Sequence, residues 1–232
     1  MRFYHQVESP LMEILYEDNH IIAAVKPSGV LSQSDGSGAP DMLTLLKAYI
    51  KEKYNKPGNV YLGLVHRLDR NVSGVMVFAR TSKAASRLSA QIREHTTEKL
   101  YYAVVEGKVS GEGTLRNWIL KDEKTNTVKV LDREEKGAKS AELSYRAVDS
   151  TDGTTLLEVD LKTGRSHQIR AQLAASGHPI TGDAKYGRAG GKDRIALMCH
   201  SMTIDHPTSK ERMTFKCDMP DSHPWILYKN RF

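Results

Sequence analysis

The stretches that most favour extended backbone are unevenly spaced along this chain, and their spacing limits the fold more than any other feature. "HIIAAVKPSG" from His20, "GVMVFAR" from Gly74, "KLYYAVVEGKV" from Lys99, "AELSYRAV" from Ala141, "TTLLEVDLK" from Thr154, "RIALMCHSMTI" from Arg194 and "RMTFKCDM" from Arg212 all read as strands. Helical periodicity is confined to three places. "MLTLLKAYIKEKY" repeats Leu43, Leu46 and Ile50 behind Asp41 as a cap; "TSKAASRLSAQIREH" carries a stripe of Ala85, Leu88 and Ile92; and "SHQIRAQLAASG" has Ser166 as expected N-cap and Gly177 as stop. A doubly wound fold needs strands and helices in regular alternation, which this order does not supply. Strands that follow one another with few helices between them predict a mixed sheet with helices packed against it. The segment from Gly111 to Lys139 has the weakest pattern and reads as hairpins or a surface excursion.

The chain has 232 residues, no repeat and no composition break that would serve as a linker, so residues 1–232 are expected to form one domain. Lys and Arg outnumber Asp and Glu by 34 to 28, a formal charge of +6 that favours an acidic or phosphate-bearing partner. Cys199 and Cys217 fit neither a disulfide framework nor a metal cluster, no apolar run is long enough to span a bilayer, and the N-terminus lacks a leader's apolar core. A cytoplasmic chain, monomeric for want of heptads, is expected, and the sequon at Asn71 is a chance match.

Two basic constellations stand out. In "LGLVHRLDRNVSGVMVFART", Asp69 lies between Arg67 and Arg70, with His66 upstream and Ser73-Gly74 behind. The arginines serve either to order a turn through ion pairs or to hold phosphates beside a carboxylate used as nucleophile or base. His66 fits the loop's hydrogen-bond network better than a metal site, and Gly74 permits close backbone approach. In "LKTGRSHQIRAQLAASGHPITGDAKYG", Lys162, Arg165, His167 and Arg170 gather at a loop-to-helix junction, followed by Asp183, Lys185 and Tyr186. That is either a solvated basic face or an anion site. No Walker motif or Ser elbow is present, so no nucleotide cofactor is indicated. Tyr101 and Tyr102, adjacent on a strand, must point to opposite sheet faces.

Taken together, "KPSGVLSQ", "HRLDRNVSG", "KLYYAVVEG" and "LKTGRSHQIRAQLAASGHPITGDAKYG", in that order, resemble the RluA-type family of RNA pseudouridine synthases. Asn71 and Val72 depart from its pattern, where many relatives carry an acid and a threonine. The resemblance implies an α+β catalytic fold with a central mixed, largely antiparallel sheet and a basic RNA-binding cleft. It implies a form without the separate N-terminal S4-like domain. It makes Asp69 the catalytic aspartate, Tyr101 the ring that packs on the target base and Arg165 the basic partner of Asp69. His66, Arg67, Arg70, Lys162, His167, Arg170 and Lys185 become RNA-binding or loop-ordering residues. The expected reaction is isomerisation of uridine to pseudouridine in structured RNA, ribosomal or transfer, with no cofactor, metal or membrane partner. Three rivals stay open at this level: a structured-RNA-binding protein that keeps the fold without catalysis, a metal-dependent nuclease using Asp69 and Asp183, and a phosphate-ester enzyme without RNA.

Overall fold

A computed structural model of the chain describes residues 12–187 and 194–229. Residues 1–11, on which the expectation about a leader turns, lie outside them. The described residues build one sheet in the order β1-β2-β4-β10-β5-β9-β8-β6-β7, with β3 on β4 and β11 on β10. In chain order these are β1 (Ile14–Glu17), β2 (Ile21–Lys26), β3 (Gly63–Leu64), β4 (Ser73–Ala79), β5 (Glu98–Glu106), β6 (Glu112–Asp122), β7 (Thr127–Leu131), β8 (Lys139–Thr151), β9 (Thr154–Leu161), β10 (Leu197–Asp205) and β11 (Arg212–Lys216). All pairings are antiparallel except β4 with β10. The weakly patterned middle is the β6–β7 hairpin, whose strand β6 also pairs with β8.

The parallel pairing of β4 with β10 explains a glycine. β4 and β10 meet at Ser73–Met198 and Gly74–Cys199. Gly74 has φ +121°, and a Cβ there would sit 2.2 Å from the Cys199 carbonyl oxygen. Only glycine lets the chain leave the aspartate loop and join the sheet at this point.

Three helices flank the sheet: α1 (Met42–Lys53), α2 (Ser82–Arg93) and α3 (Gln168–Ala175). Asp41 caps α1 by accepting from the Thr44 N–H at 3.0 Å. α1 buries Met42, Leu46 and Ile50, and α2 buries Ala84 and Leu88, so the apolar stripes sit slightly rotated from those expected. Leu43, Ala85 and Ile92 lie at the edges of these faces, half-buried. The third helix starts later than expected. Its N-cap is His167, at φ +52°, and no side chain caps it. Gln168 instead braces the loop before the helix: its Oε1 accepts from the Arg165 N–H (3.0 Å) and the Thr163 hydroxyl (2.8 Å), and its Nε2 donates to the Glu142 carbonyl (3.0 Å). Gly177, at φ +90°, closes the helix as anticipated, with its N–H and that of His178 bonded to the Ala174 and Leu173 carbonyls. α3 packs on β6 and β7, while the main core gathers β2, β4, β5, β9 and β10. No helix among the described residues is long and apolar enough to cross a membrane.

Candidate active site

Asp69 lies in the loop between β3 and β4, and the backbone on both sides of it is tied down by residues 26–32. On one side, Ser32 Oγ donates to the Leu68 carbonyl (2.7 Å) and accepts from the Leu68 N–H (3.0 Å). On the other, the Arg70 carbonyl accepts from the Gly29 N–H (2.9 Å) and from Lys26 Nζ (2.9 Å). Lys26 is fully buried, and its Nζ also reaches the carbonyls of Val30 (2.6 Å) and Pro27 (3.0 Å). Three carbonyl acceptors match the three N–H groups of one ammonium. Burial pushes its pKa down to about 7, against the opposing charge of Asp69. Ser28 adds a bond to the Asn71 carbonyl at 2.8 Å. "KPSGVLS" and "HRLDRNVSG" therefore form one docked unit, which holds Asp69 at its apex.

The two unusual residues of that loop are easily accommodated. Val72 is buried in the main core, where a methyl serves packing as well as a hydroxyl would, and Asn71 is exposed. His66 orders the loop: its Nε2 accepts from the Val77 N–H at 3.0 Å, just beyond the last residue β3 pairs on β4. Burial, with the nearby charge of Lys99, lowers its pKa to about 3, so the ring is neutral and able to accept.

The carboxylate meets an arginine, but not the one expected. Arg170 Nη1 donates to Asp69 Oδ2 at 2.8 Å, whereas Arg165 is exposed on the cleft rim with its Nε on the Ser140 carbonyl (3.0 Å). The way the loop before α3 is held accounts for the correction. Arg165 precedes the helix in a loop pinned by Gln168, and Arg170 lies in its first turn. Arg170 is itself held by a forked pair to buried Asp183, Nε to Oδ2 and Nη2 to Oδ1, both 2.8 Å. Burial opposes the guanidinium's charge, yet the bonds to Asp183 and Asp69 outweigh it and raise its pKa above the ordinary arginine value. Asp183 is likewise pushed up by burial but ends lower than usual, because Arg170 and the N–H groups of Lys185 and Tyr186 favour its charged form.

A second chain of contacts reaches the same carboxylate. The Tyr186 hydroxyl accepts from the Val128 N–H (2.8 Å) and lies 2.8 Å from His167 Nδ1. His167 Nε2 is 3.7 Å from Asp69 Oδ2. Burial lowers the His167 pKa despite the attraction of Asp69. With the tyrosine proton directed to Nδ1, the neutral ring turns an Nε2–H towards Asp69.

These groups line a cleft of about 1410 Å³. Tyr101 stands on its wall and is buried; burial, with Cys199 and Asp69 nearby, raises its phenol well above the ordinary value, leaving a neutral ring. Tyr102 points to the opposite face, where it stacks on His200 with ring centroids 4.5 Å apart. Arg67, Arg70, Lys162 and Arg165 are exposed around the mouth, and Lys185 binds the Asn126 carbonyl at 2.7 Å. Arg170's link to Asp69, the anchoring by Asp183, the Gln168 brace and the buried Lys26 are the features that sequence reasoning missed. Among the described residues, no group of three His, Cys, Asp or Glu side chains is arranged to hold a metal; Asp69 and Asp183 instead share one guanidinium.

A largely antiparallel mixed sheet thus carries a carboxylate–arginine pair in a cleft rimmed by exposed cations, an arrangement fitted to a polyanionic ligand. Residues 20–175 match the RNA pseudouridylate synthase family, and the chain belongs to that family. It is 31% identical to the ribosomal large subunit pseudouridine synthase D of Nitrosomonas europaea over 96% of this chain and 66% of that protein. It is also 31% identical to the synthase D of Pseudomonas aeruginosa (93% of this chain, 71% of that protein). To the synthase C of Vibrio parahaemolyticus it is 32% identical, over 92% and 68%. The chain thus spans about two thirds of these relatives' length, and the similar identities to C and D types single out neither. In fold it is similar to human RNA pseudouridylate synthase domain containing 4, with a TM-score of 0.78 at 21% identity over 94% of this chain and 93% of that one.

Proposed function

We propose that this chain isomerises specific uridines in structured RNA to pseudouridine, with Asp69 as the reacting carboxylate. The observation that carries the reading is how Asp69 is presented. Its loop is fixed on both sides, Oδ2 is bonded to Arg170, and the side chain keeps 32% of its surface open to the cleft. Among the described residues Oδ1 has no hydrogen-bond partner. One oxygen held by Arg170 and the other free towards the cleft is the arrangement a carboxylate needs to react with a bound ligand.

In this reading the target nucleotide leaves its helix and enters the cleft, at a cost of roughly a few kcal/mol for unpairing and unstacking. Tyr101 packs on the extruded base, and the exposed cations at the mouth hold the flanking phosphates without reading sequence. Asp69 then attacks C1′ or removes a ribose proton, the bond from C1′ to N1 breaks, the base turns, and C5 joins C1′. Arg170 orients the carboxylate, and His167 directs an N–H at it. The neutral Tyr101 phenol has no part as a base. The relatives are named for the large ribosomal subunit, which makes its RNA the first target to test and transfer RNA the second.

The test is to map pseudouridines in RNA from cells with and without this protein, complemented by wild type or by Asp69→Asn. The expected result is one or more sites that depend on the protein and vanish with Asp69→Asn, while the purified variant stays folded and binds the same RNA. Sites retained with Asp69→Asn would overturn the assignment of Asp69. RNA binding by wild type with no dependent site would favour a non-catalytic RNA-binding protein.

A further inference from the structure

The cleft contains a cation that neither the RNA mouth nor the Asp69 pair employs. Lys99 is the second residue of β5, two before Tyr101, so the two side chains leave the strand on one face, roughly 7 Å apart along it. Both line the cleft that holds Asp69. Lys99 lies opposite Met202 of β10, and His66, Cys199, Arg93 and His95 are the titratable or charged groups of the neighbouring elements. Among the described residues no carboxylate pairs with it and no hydrogen bond satisfies its ammonium. Asp69, the obvious counter-charge, is engaged by Arg170. Burial accordingly lowers its pKa, with only the Cys199 thiol opposing.

A half-buried ammonium that lines a ligand cleft and that no protein carboxylate balances is open to negative charge on the ligand. The exposed cations already ring the mouth, where phosphates arrive. A flipped base enters ahead of its backbone. Lys99, beside the ring proposed to pack on that base, therefore meets the base.

We propose that the Lys99 ammonium binds a carbonyl oxygen of the target uracil and stabilises the uracil anion formed when the bond from C1′ to N1 breaks. The inference rests on the isomerase reading and adds a group to it. On cleavage the electron pair goes to N1 and spreads over O2 and O4. C1′ is either captured by an Asp69 oxygen, or C2′ surrenders its proton to give a glycal; the base departs as an anion on both routes. C5 then bonds to C1′ as the bond from Asp69 to C1′ breaks, or as the glycal takes its proton back at C2′; the hydrogen on C5 leaves as a proton and N1 takes one up, so the sum is an isomerisation with no oxidant or reductant. A fixed positive charge where negative charge develops accelerates the step without needing to tighten ground-state binding.

The probe is total RNA from cells lacking this protein, grown on uridine tritiated at C5, because forming the new carbon–carbon bond releases that tritium to water. Wild type, Lys99→Met and Lys99→Arg are compared at saturating enzyme in a single turnover, alongside filter binding to the same RNA. Lys99→Met is expected to bind comparably and to release tritium about 100-fold more slowly, the scale for losing one donor to a developing anion. Wild type should lose rate on the alkaline side with a midpoint below the ordinary lysine value of 10.5, as the ammonium deprotonates. Lys99→Arg should keep part of the rate and carry that limb to higher pH, since a guanidinium stays charged. A structural lysine would not move the limb.

Release by Lys99→Met within about threefold of wild type, less than 1 kcal/mol of barrier, would overturn the assignment of Lys99 and leave the isomerase reading intact. An alkaline limb unchanged in Lys99→Arg would do the same, and decides the matter if Lys99→Met does not fold. No tritium release by wild type would overturn both.

Discussion

Replacing Arg170 by Met should damage stability and turnover together, and the two can be separated. The guanidinium makes three bonds of 2.8 Å, two to Asp183 and one to Asp69. Asp183 is buried and would keep only the N–H groups of Lys185 (2.9 Å) and Tyr186 (3.2 Å). Stranding one partner of a buried pair costs about 3–5 kcal/mol. Because those two donors remain, the lower end of that range is expected. The share owed to Asp69 is small, since that carboxylate is one-third exposed and screened. Arg165→Ala, by contrast, removes an exposed side chain and should cost no more than about 0.5 kcal/mol. Adding Asp183→Asn to Arg170→Met removes the stranded charge and should recover about 1–3 kcal/mol as coupling. Turnover should not return, because Asp69 still lacks the group that aims it. Urea unfolding followed by the fluorescence of Trp118 and Trp225 measures the first quantity, and single-turnover conversion the second. If Arg165→Ala proves as costly as Arg170→Met, or if the double variant is no more stable than Arg170→Met, the paired-carboxylate account is wrong.

Other outcomes follow from the same geometry. His66 is held neutral with a folded pKa near 3 against an ordinary 6.5, so stability is whole above pH 6.5 and is lost as pH falls towards 3. Between pH 6.5 and 5 the loss is at most about 2 kcal/mol, and His66→Gln, which can still accept from Val77, should flatten that slope in urea unfolding; an unchanged slope refutes the neutral-acceptor role. Tyr101→Phe should retain binding and base accommodation better than Tyr101→Ala, whereas full turnover by both would remove the ring from the pocket's function. Arg67 and Arg70 are exposed at the mouth, so log affinity should fall linearly with log salt, and Arg67→Ala should lower the slope by about 0.7 while weakening all RNAs alike. An affinity unchanged across salt would show that phosphate contacts are not the basis of binding.

How far the site was legible in the sequence depended on whether a residue's duty is local. Asp41's cap, Gly177's stop and the strand runs act within a few residues, and the structure bears them out. Gly74's close approach was also legible, because permissive backbone before a buried strand implies something passing nearby, although β10 lies over a hundred residues away. Lys26 was not legible. "VKPSG" reads as a strand reaching a stop, and the carbonyl that turns its lysine into a brace belongs to Arg70, 44 residues on.

The exchange of Arg165 for Arg170 shows what limits such reading. Both arginines stand in "TGRSHQIR", and both are compatible with a basic partner for Asp69. The choice rests on how the loop before the helix is held, since Arg165 precedes the helix whether the cap is Ser166 or His167. Ser166 is the stronger cap by residue preference. Yet Gln168, reaching back to Thr163, Arg165 and across to the Glu142 carbonyl on β8, holds the loop open and sets the cap at His167. The first turn then carries Arg170 towards Asp183, which locks its guanidinium with two bonds and leaves Nη1 for Asp69. Preference within a segment was thus overruled by a buried amide bonded to another strand. That amide should be testable through the catalytic pair: Gln168→Leu removes the brace, frees the loop that bears Arg165, and is expected to lower turnover more than RNA affinity by misdirecting Arg170. Equal losses in both would instead mean that the loop itself, rather than the helix start, is what the RNA requires.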